Sequence, residues 1–339
     1  MIKEAITKII EKQDLSQEEA ALTMEEIMSG NATDAQIASF ITALRLKGET
    51  VDEITGFTKI MREKATHLKA KGPVIDTCGT GGDGAHTFNI STISAFIAAG
   101  AGAMVAKHGN RSVSSSCGSA DCLQALGINI TADVEKVEKC LNEVGIGFLF
   151  APLLHASMKY AIGPRREIGI RTVFNILGPM TNPANARAQL IGVYSQDLTE
   201  TMARVLNNLG SLHVMVVHGM DGLDEISTTG PTRISELKDG KITTYTINPT
   251  DFHISPAMAE DLKGAEADVN ARICEAILSG EKGPKRDICL LNAGAAIYVA
   301  DLAKDLAEGI ERARESIDSG TAMAKLEKLR RMLPAMEKD

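Results

Sequence analysis

The sequence predicts an α/β protein: a small N-terminal helical domain, then a larger α/β domain with a mostly parallel central sheet. Three observations point there. Four short segments before residue 70 carry apolar residues at helical spacing, each opened or closed by a capping signal. After residue 71, near-continuous apolar strands alternate with helical stretches, the pattern of a parallel sheet covered on both faces. The first of those strands runs into a glycine-rich loop that opens a helix. The expected division is 1–70 and 71–339, with helices near 160–185 joining the helical part.

Ile2, Ala5, Ile6, Ile9 and Ile10 mark the buried face of the first helix. Ser16-Gln17-Glu18-Glu19 is a capping box opening a second helix, with Ala20, Met24, Ile27 and Met28 inward and Gly30 at its end. Thr33 opens a third, which buries Ile37, Phe40, Ile41 and Leu44 before Gly48, and Thr50 a fourth, which buries Ile54, Phe57, Ile60 and Met61. Strands are expected at Val74–Cys78, Ala103–Ala106, Ile146–Phe150, Leu190–Tyr194 and His213–Val217, with helices at 90–100, 132–144 and 197–209. Residues 242–247 alternate like a half-exposed antiparallel strand, and 265–278 and 302–333 read as closing helices.

Composition excludes several functions. With 44 acidic against 36 basic residues the 339-residue chain carries −8, which opposes nonspecific binding to nucleic acid and a basic membrane surface. Twelve Phe and Tyr with no Trp leave little for stacking platforms. Six scattered Cys show neither a C-x-x-C pair nor a zinc spacing. The N-terminus lacks a basic region ahead of an apolar one, so a cytoplasmic protein is expected.

The chemistry gathers after the first strand. Gly79-Thr80-Gly81-Gly82-Asp83-Gly84 fits G-x-G-x-x-G, but no acid follows about 20 residues on to hold a ribose, and no G-K-[ST] follows for a P-loop. Residues 84–120 contain no Asp or Glu, where the chain average would place about five. That window holds donors instead: Thr87, Asn89, Ser91 and Thr92 at a helix start, then Lys107, His108, Asn110, Arg111 and the hydroxyl run 112–116 after the next strand. Helix-start amides, hydroxyls and basic groups on neighbouring loops point to a ligand with anionic ends.

In order along the chain, Gly79-Thr80-Gly81-Gly82-Asp83, Asn89-Ile90-Ser91-Thr92, Lys107-His108-Gly109-Asn110-Arg111 and Gly118-Ser119-Ala120-Asp121 resemble the signature segments of the anthranilate phosphoribosyltransferase family. Arg171-Thr172-Val173-Phe174-Asn175, Leu177-Gly178-Pro179, Asn182-Pro183, Asp224-Glu225 and Leu291-Asn292-Ala293-Gly294 continue the likeness. One departure is Ser116-Cys117, where the family usually has Lys-Ser. The resemblance implies a nucleoside phosphorylase/phosphoribosyltransferase-like fold. It also implies transfer of the phosphoribosyl group of 5-phosphoribosyl 1-diphosphate to the amine of anthranilate, with release of pyrophosphate, in tryptophan biosynthesis.

By the same resemblance, Gly79, Gly82, Asp83, Thr87, Asn89, Ile90, Ser91 and Thr92 hold the donor. Lys107, His108, Gly109, Asn110, Arg111, Ser112, Val113, Ser114, Ser115 and Ser119 complete that site. Arg165 grips the anthranilate carboxylate, for which a guanidinium fork is suited, with Asn110 and the Gly79 backbone facing the acceptor. Arg166 is expected in a structural ion pair. Ser91, Asp224 and Glu225 would bind Mg²⁺, which takes oxygen ligands and pairs carboxylates with substrate phosphates. His108 and His155 are weak acid–base candidates, and no obligatory general base is expected because the arylamine is neutral at pH 7. A homodimer joined through the helical part is implied. The rivals are a pyrimidine-nucleoside phosphorylase, whose Lys-x-Ser-x-Arg-type segment differs from residues 107–111, and a noncatalytic nucleic-acid-binding relative, which the charge opposes.

Overall fold

The computed structural model describes residues 1–112 and 116–335. Helices α1 (Ile2–Ile10), α2 (Gln17–Met28), α3 (Asp34–Lys47) and α4 (Val51–Glu63) form the N-terminal part. Ser16, Thr33 and Thr50 each accept from the amide three residues on, and Glu19, Gln36 and Glu53 reciprocate. The buried Glu53 carboxylate also accepts from Leu15 N and Lys47 Nζ, both at 3.0 Å, so one cap ties three helices together.

The rest of the chain runs β1 (Ile75–Gly79), α5 (Ile90–Gly100), β2 (Val105–Gly109), α6 (Ser119–Ala125), α7 (Val134–Val144), β3 (Ile146–Phe150), α8 (Ala151–Leu154), α9 (Lys159–Ile168), α10 (Phe174–Leu177), β4 (Ala188–Gly192) and α11 (Asp197–Asn208). It closes with β5 (His213–Gly219), β6 (Thr232–Lys238), β7 (Lys241–Ile247), α12 (Ala267–Leu278), α13 (Pro284–Val299), α14 (Leu306–Asp318) and α15 (Thr321–Met332).

These strands form one sheet in the order β3-β2-β1-β4-β5-β6-β7, with the first five parallel and the last two antiparallel. The order reverses between β1 and β4, because β2 and β3 extend one way and β4 and β5 the other. Period-2 alternation divides the core between the two faces. On β5, Met215 and Val217 pack with α5 and the C-terminal helices, while Val214 and Val216 join the core shared with α4, α9 and α11. Helix α9 packs on α2 and α3 of the N-terminal part. Among the described residues, no helix is long and apolar enough to cross a membrane.

Several elements differ from expectation. Strand β2 starts two residues later than its apolar run and extends through Lys107 and His108, because both side chains find partners inside the protein. Strand β4 starts two residues earlier, where Gln189 is buried and donates to Pro179 O at 2.8 Å. Strand β6 was not expected, since Arg233, Glu236 and Lys238 break its apolar pattern. The Asp239-Gly240 turn, both residues at positive φ, was the available signal for its hairpin with β7. Helix α13 was also unforeseen: it is buried on nearly every side, which erases amphipathic periodicity, although Pro284 at its first position marks the start. The stretch 302–333 is two helices, because Gly320 at φ +76° turns the chain between them.

Candidate active site

All five parallel strands point their carboxyl ends the same way, and the reversal between β1 and β4 opens a crevice there. The Gly79–Gly84 loop leaves β1, the Lys107–Ser119 segment leaves β2, and the loop after β5 brings Asp224 and Glu225 across. Asp224 lies directly over the two central strand ends. A Cβ on Gly192 would sit 1.5 Å from Asp224 O, and one on Gly79 would sit 2.2 Å from Asp224 Oδ2. Gly192→Ala is therefore expected to push residues 224–225 out of place and lower stability by about 1–3 kcal/mol, as overpacking does. Denaturant unfolding beside an activity assay checks this.

The acidic pair is tied to both loops. Gly81 N donates to Asp224 Oδ2 at 2.7 Å, and Ser91 N, in the first turn of α5, donates to Glu225 Oε1 at 3.1 Å. Burial, then the charge of Asp83, pushes the Asp224 carboxyl up to about 7. Burial and the neighbouring Asp224 raise Glu225 well above the carboxylate range. Two adjacent half-buried carboxylates whose affinity for protons is raised suit a hard divalent cation. Among the described residues no three His, Cys, Asp or Glu converge on one metal point. Mg²⁺ ordinarily uses one or two carboxylates and completes its shell with phosphate and water, so the donor set fits it.

Lys107 is buried and donates to Thr77 O at 2.6 Å and Ser91 Oγ at 3.2 Å; burial lowers its pKa, against the opposing charges of Asp76 and Glu225. Thr92 Oγ1, at the third position of α5, is buried without a partner, as is Thr172 Oγ1. Ile90 fills the core, and its N–H donates to Phe88 O at 2.8 Å. Asn89 is used structurally: its Nδ2 donates to Cys117 O at 3.1 Å and its Oδ1 accepts from Asn270 Nδ2 at 3.0 Å. Thr87 forms an isolated bridge with Lys263, which braces the end of the glycine loop. Asp83 accepts from Ala85 N at 3.2 Å.

Arg111 is committed to Asp121 at 2.6 Å and Gln124 at 2.8 Å, an ion pair that closes the loop onto α6. Asp121 also accepts from Ser112 N and Gly118 N, and Ser119 Oγ donates to Asn110 O at 3.3 Å. Gly109 leaves room for Ser119 Oγ, 2.3 Å from where a Cβ would stand. The predicted donor residues Val113, Ser114 and Ser115 lie outside the described residues.

His108 and His155 meet as a buried pair, Nε2 to Nε2 at 3.2 Å. Burial brings His108 down to about 3, helped by His155, and His155 down to about 4. Both rings are neutral at pH 7. Neutral rings set orientation and polarity here; they are poor proton donors. Unfolded His protonates near pH 6.5, so between about 6.5 and 4 the unfolded chain binds more protons and stability falls as pH drops. Melting temperatures across that window are expected to decline in the native chain and to decline less steeply in His155→Phe.

Arg165, on α9, is half-buried with its guanidinium 5.1 Å from the Phe174 ring, and burial lowers its pKa. Among the described residues no carboxylate forms an ion pair with it, so a partly dehydrated cation rests on the Phe174 ring without a counter-charge. Arg166 is exposed and likewise unpaired among those residues, contrary to the ion pair expected of it.

Three supporting residues were absent from the sequence-derived site. Asp76 is fully buried and accepts from His108 N at 3.1 Å and Asn182 Nδ2 at 2.8 Å, fixing the end of β2. Asp76 and His108 are separated by 32 positions, so no local spacing reveals the contact. Arg171 donates to Gly82 O and stacks 4.5 Å from the Tyr194 ring, pinning the glycine loop. Tyr194 N in turn donates to Thr80 Oγ1 at 3.2 Å. A groove of about 650 Å³ between α4, α11 and β7 lies apart from this cluster and gathers only Glu200 and Arg204 as charges.

Residues 3–65 match the helical bundle domain of the glycosyl transferase family, and residues 71–323 match its a/b domain. Anthranilate phosphoribosyltransferase of Acetivibrio thermocellus is 56% identical over 328 residues, covering 96% of this chain and 95% of that protein. The enzyme of the same name from Moorella thermoacetica is 58% identical over 328 residues, covering 96% and 97%. Among solved structures, anthranilate phosphoribosyltransferase from Thermus thermophilus superposes with a TM-score of 0.92 at 42% identity, covering 97% of this chain and 98% of that one. The Saccharomyces cerevisiae enzyme in complex with PRPP and Mg gives 0.88 at 29% identity, covering 98% and 97%. With both domains matched in order and more than half of all residues shared over nearly the whole length, this chain belongs to the anthranilate phosphoribosyltransferase family.

Proposed function

We propose that the chain transfers the phosphoribosyl group of 5-phosphoribosyl 1-diphosphate to the amine of anthranilate, releasing pyrophosphate, as a step of tryptophan biosynthesis. The observation that carries the site assignment is the half-buried Asp224–Glu225 pair bonded at once to the glycine loop and to the first turn of α5. A diphosphate between those loops meets the α5 amides, the unpartnered Thr92 hydroxyl and the Lys107 region. Ser91, Asp224 and Glu225 would hold Mg²⁺, which neutralises charge on the departing pyrophosphate when bound.

The chain's own part is positioning and charge. Arg165 receives the anthranilate carboxylate, and the Phe174 ring beneath it holds the guanidinium plane. Asn110 and the Gly79 backbone face the acceptor, while the neutral His108–His155 pair lines its wall without moving protons. The neutral arylamine displaces pyrophosphate at the anomeric carbon with inversion, and the acceleration comes from alignment and electrostatics. Arg111 serves through Asp121 as a brace for the donor loop. A division at residues 70/71, a cytoplasmic setting and a homodimer through the helical part complete the proposal; Ile10 and Leu46, exposed at 68% and 84%, offer apolar surface there.

The test follows anthranilate fluorescence with donor and Mg²⁺, with and without a chelator. Fluorescence is expected to fall only with all three present. Turnover of thymidine with phosphate in its place would assign the chain to nucleoside phosphorolysis.

A further inference from the structure

Ile226, the residue after the acidic pair, is wholly buried, and one side chain takes both of its backbone polar groups. Ile226 N donates to Asn292 Oδ1 at 2.9 Å, and Asn292 Nδ2 donates to Ile226 O at 2.9 Å. Asn292, itself wholly buried on α13, thus exchanges two bonds with one residue, as a paired strand would. Its Nδ2 also donates to Ile288 O at 2.9 Å, one turn back on the helix. Donors and acceptors in this set cannot be swapped, so the amide has a single orientation. Helix α13 is fixed in its turn by α14. A Cβ on Gly309 would stand 2.3 Å from Gly294 O, and one on Gly294 would stand 2.6 Å from Ile310 Cγ1. The two helices therefore meet backbone to backbone two residues beyond Asn292.

We propose that Asn292 is a positioning residue for divalent-cation binding: its carboxamide fixes the 225–226 peptide and so aims the oxygens of Asp224 and Glu225. The inference deepens the proposed function and rests on its metal-binding reading of that pair. The Ile226 N–H belongs to the peptide formed with the Glu225 carbonyl, so its bond to Oδ1 sets the plane from which the Glu225 side chain departs. Gly81 N and Ser91 N also hold the pair, but through Asp224 Oδ2 and Glu225 Oε1, oxygens of the kind a cation needs. Asn292 holds the chain by its backbone and makes no demand on the carboxylates. Partners beyond the ligands ordinarily tune metal affinity in this way. Leu291-Asn292-Ala293-Gly294 thereby gains a role its spacing did not show: Asn292 grips the acidic segment, and Gly294 admits the neighbouring helix.

Calorimetric titration of the full-length protein with pyrophosphate, once with Mg²⁺ and once with a chelator, tests this without turnover. The readout is the gain in pyrophosphate affinity that Mg²⁺ brings. Asn292→Ala is expected to cut that gain about tenfold, the scale of losing an outer partner, and to leave the metal-free affinity unchanged. Asn292→Ser, whose hydroxyl still reaches Ile288 O but cannot span both Ile226 groups, keeps the test open should the alanine variant fold poorly; the same loss is expected. Ile297→Val trims a buried side chain further along α13 and is expected to lower the melting temperature with the gain intact. In turnover, the Asn292 variants are expected to need more Mg²⁺ at an anthranilate KM little changed. A gain that both Asn292 variants keep overturns the inference alone, as does an equal loss in Ile297→Val. No gain in the native chain, or one that survives Asp224→Asn with Glu225→Gln, overturns the metal reading and the inference with it. A Mg²⁺-dependent gain lost in the Asn292 variants, in a native protein inactive with anthranilate and donor, supports the inference and counts against the transferase reading.

Discussion

Asp224→Asn combined with Glu225→Gln is expected to lower turnover on the order of 10³-fold or more, with no recovery at high Mg²⁺. Through Gly81 N and Ser91 N, this pair of carboxylates bonds to the glycine loop and to the start of α5. Neither replacement changes side-chain volume much. Both remove the repulsion that raises the two acids, so the variant is expected to melt at the same temperature as the native chain or above it. Lost activity in a protein of undiminished stability separates a binding role from a structural one. Full activity in the double variant would remove the metal assignment altogether.

Arg165→Ala is expected to raise the anthranilate KM about 10²-fold, the scale of losing one partner of a desolvated charge pair. The donor KM should move little, because Arg165, on α9 and against the Phe174 ring of α10, makes no hydrogen bond or ion pair with α5 or the acidic pair among the described residues. Arg165→Lys should recover only part of the loss, since a point charge replaces a planar fork over an aromatic ring. Steady-state kinetics with each substrate varied in turn is the measurement. Equal increases for both substrates would refute the assignment.

The helical part was readable from local rules. Ser16, Thr33 and Thr50 with their acids or amide three residues on are self-contained signals, and all three form reciprocal caps. The loops leaving β1 and β2 were likewise readable as strand-to-helix connections, since glycines and hydroxyls follow each apolar strand. Reading failed where burial replaces pattern. Helix α13 is buried on nearly every side, and the charges of β6 are met from other elements, Arg233 by Thr199, Glu236 by His213 and Lys238 by Tyr298. Arg111 shows the same limit for function: residues beside it read as an anion site, whereas Asp121, ten positions on, claims the guanidinium.

Chemistry encoded in contiguous residues was settled by the sequence alone: helix caps, the acid-free loops, the strand-to-helix order and the absence of a ribose-clamping acid or P-loop lysine. Sheet order was not, and it is the sheet order that makes the crevice. Strand β4 inserts beside β1, opposite β2, so the loops diverge above Gly79 and Gly192, and the missing Cβ atoms let Asp224 settle between them. Asp76 beneath His108, Arg171 on Gly82 and the paired imidazoles belong to the same class. Each joins residues tens of positions apart, and such contacts depend on which elements pack, a property of the whole chain's burial that no local spacing carries.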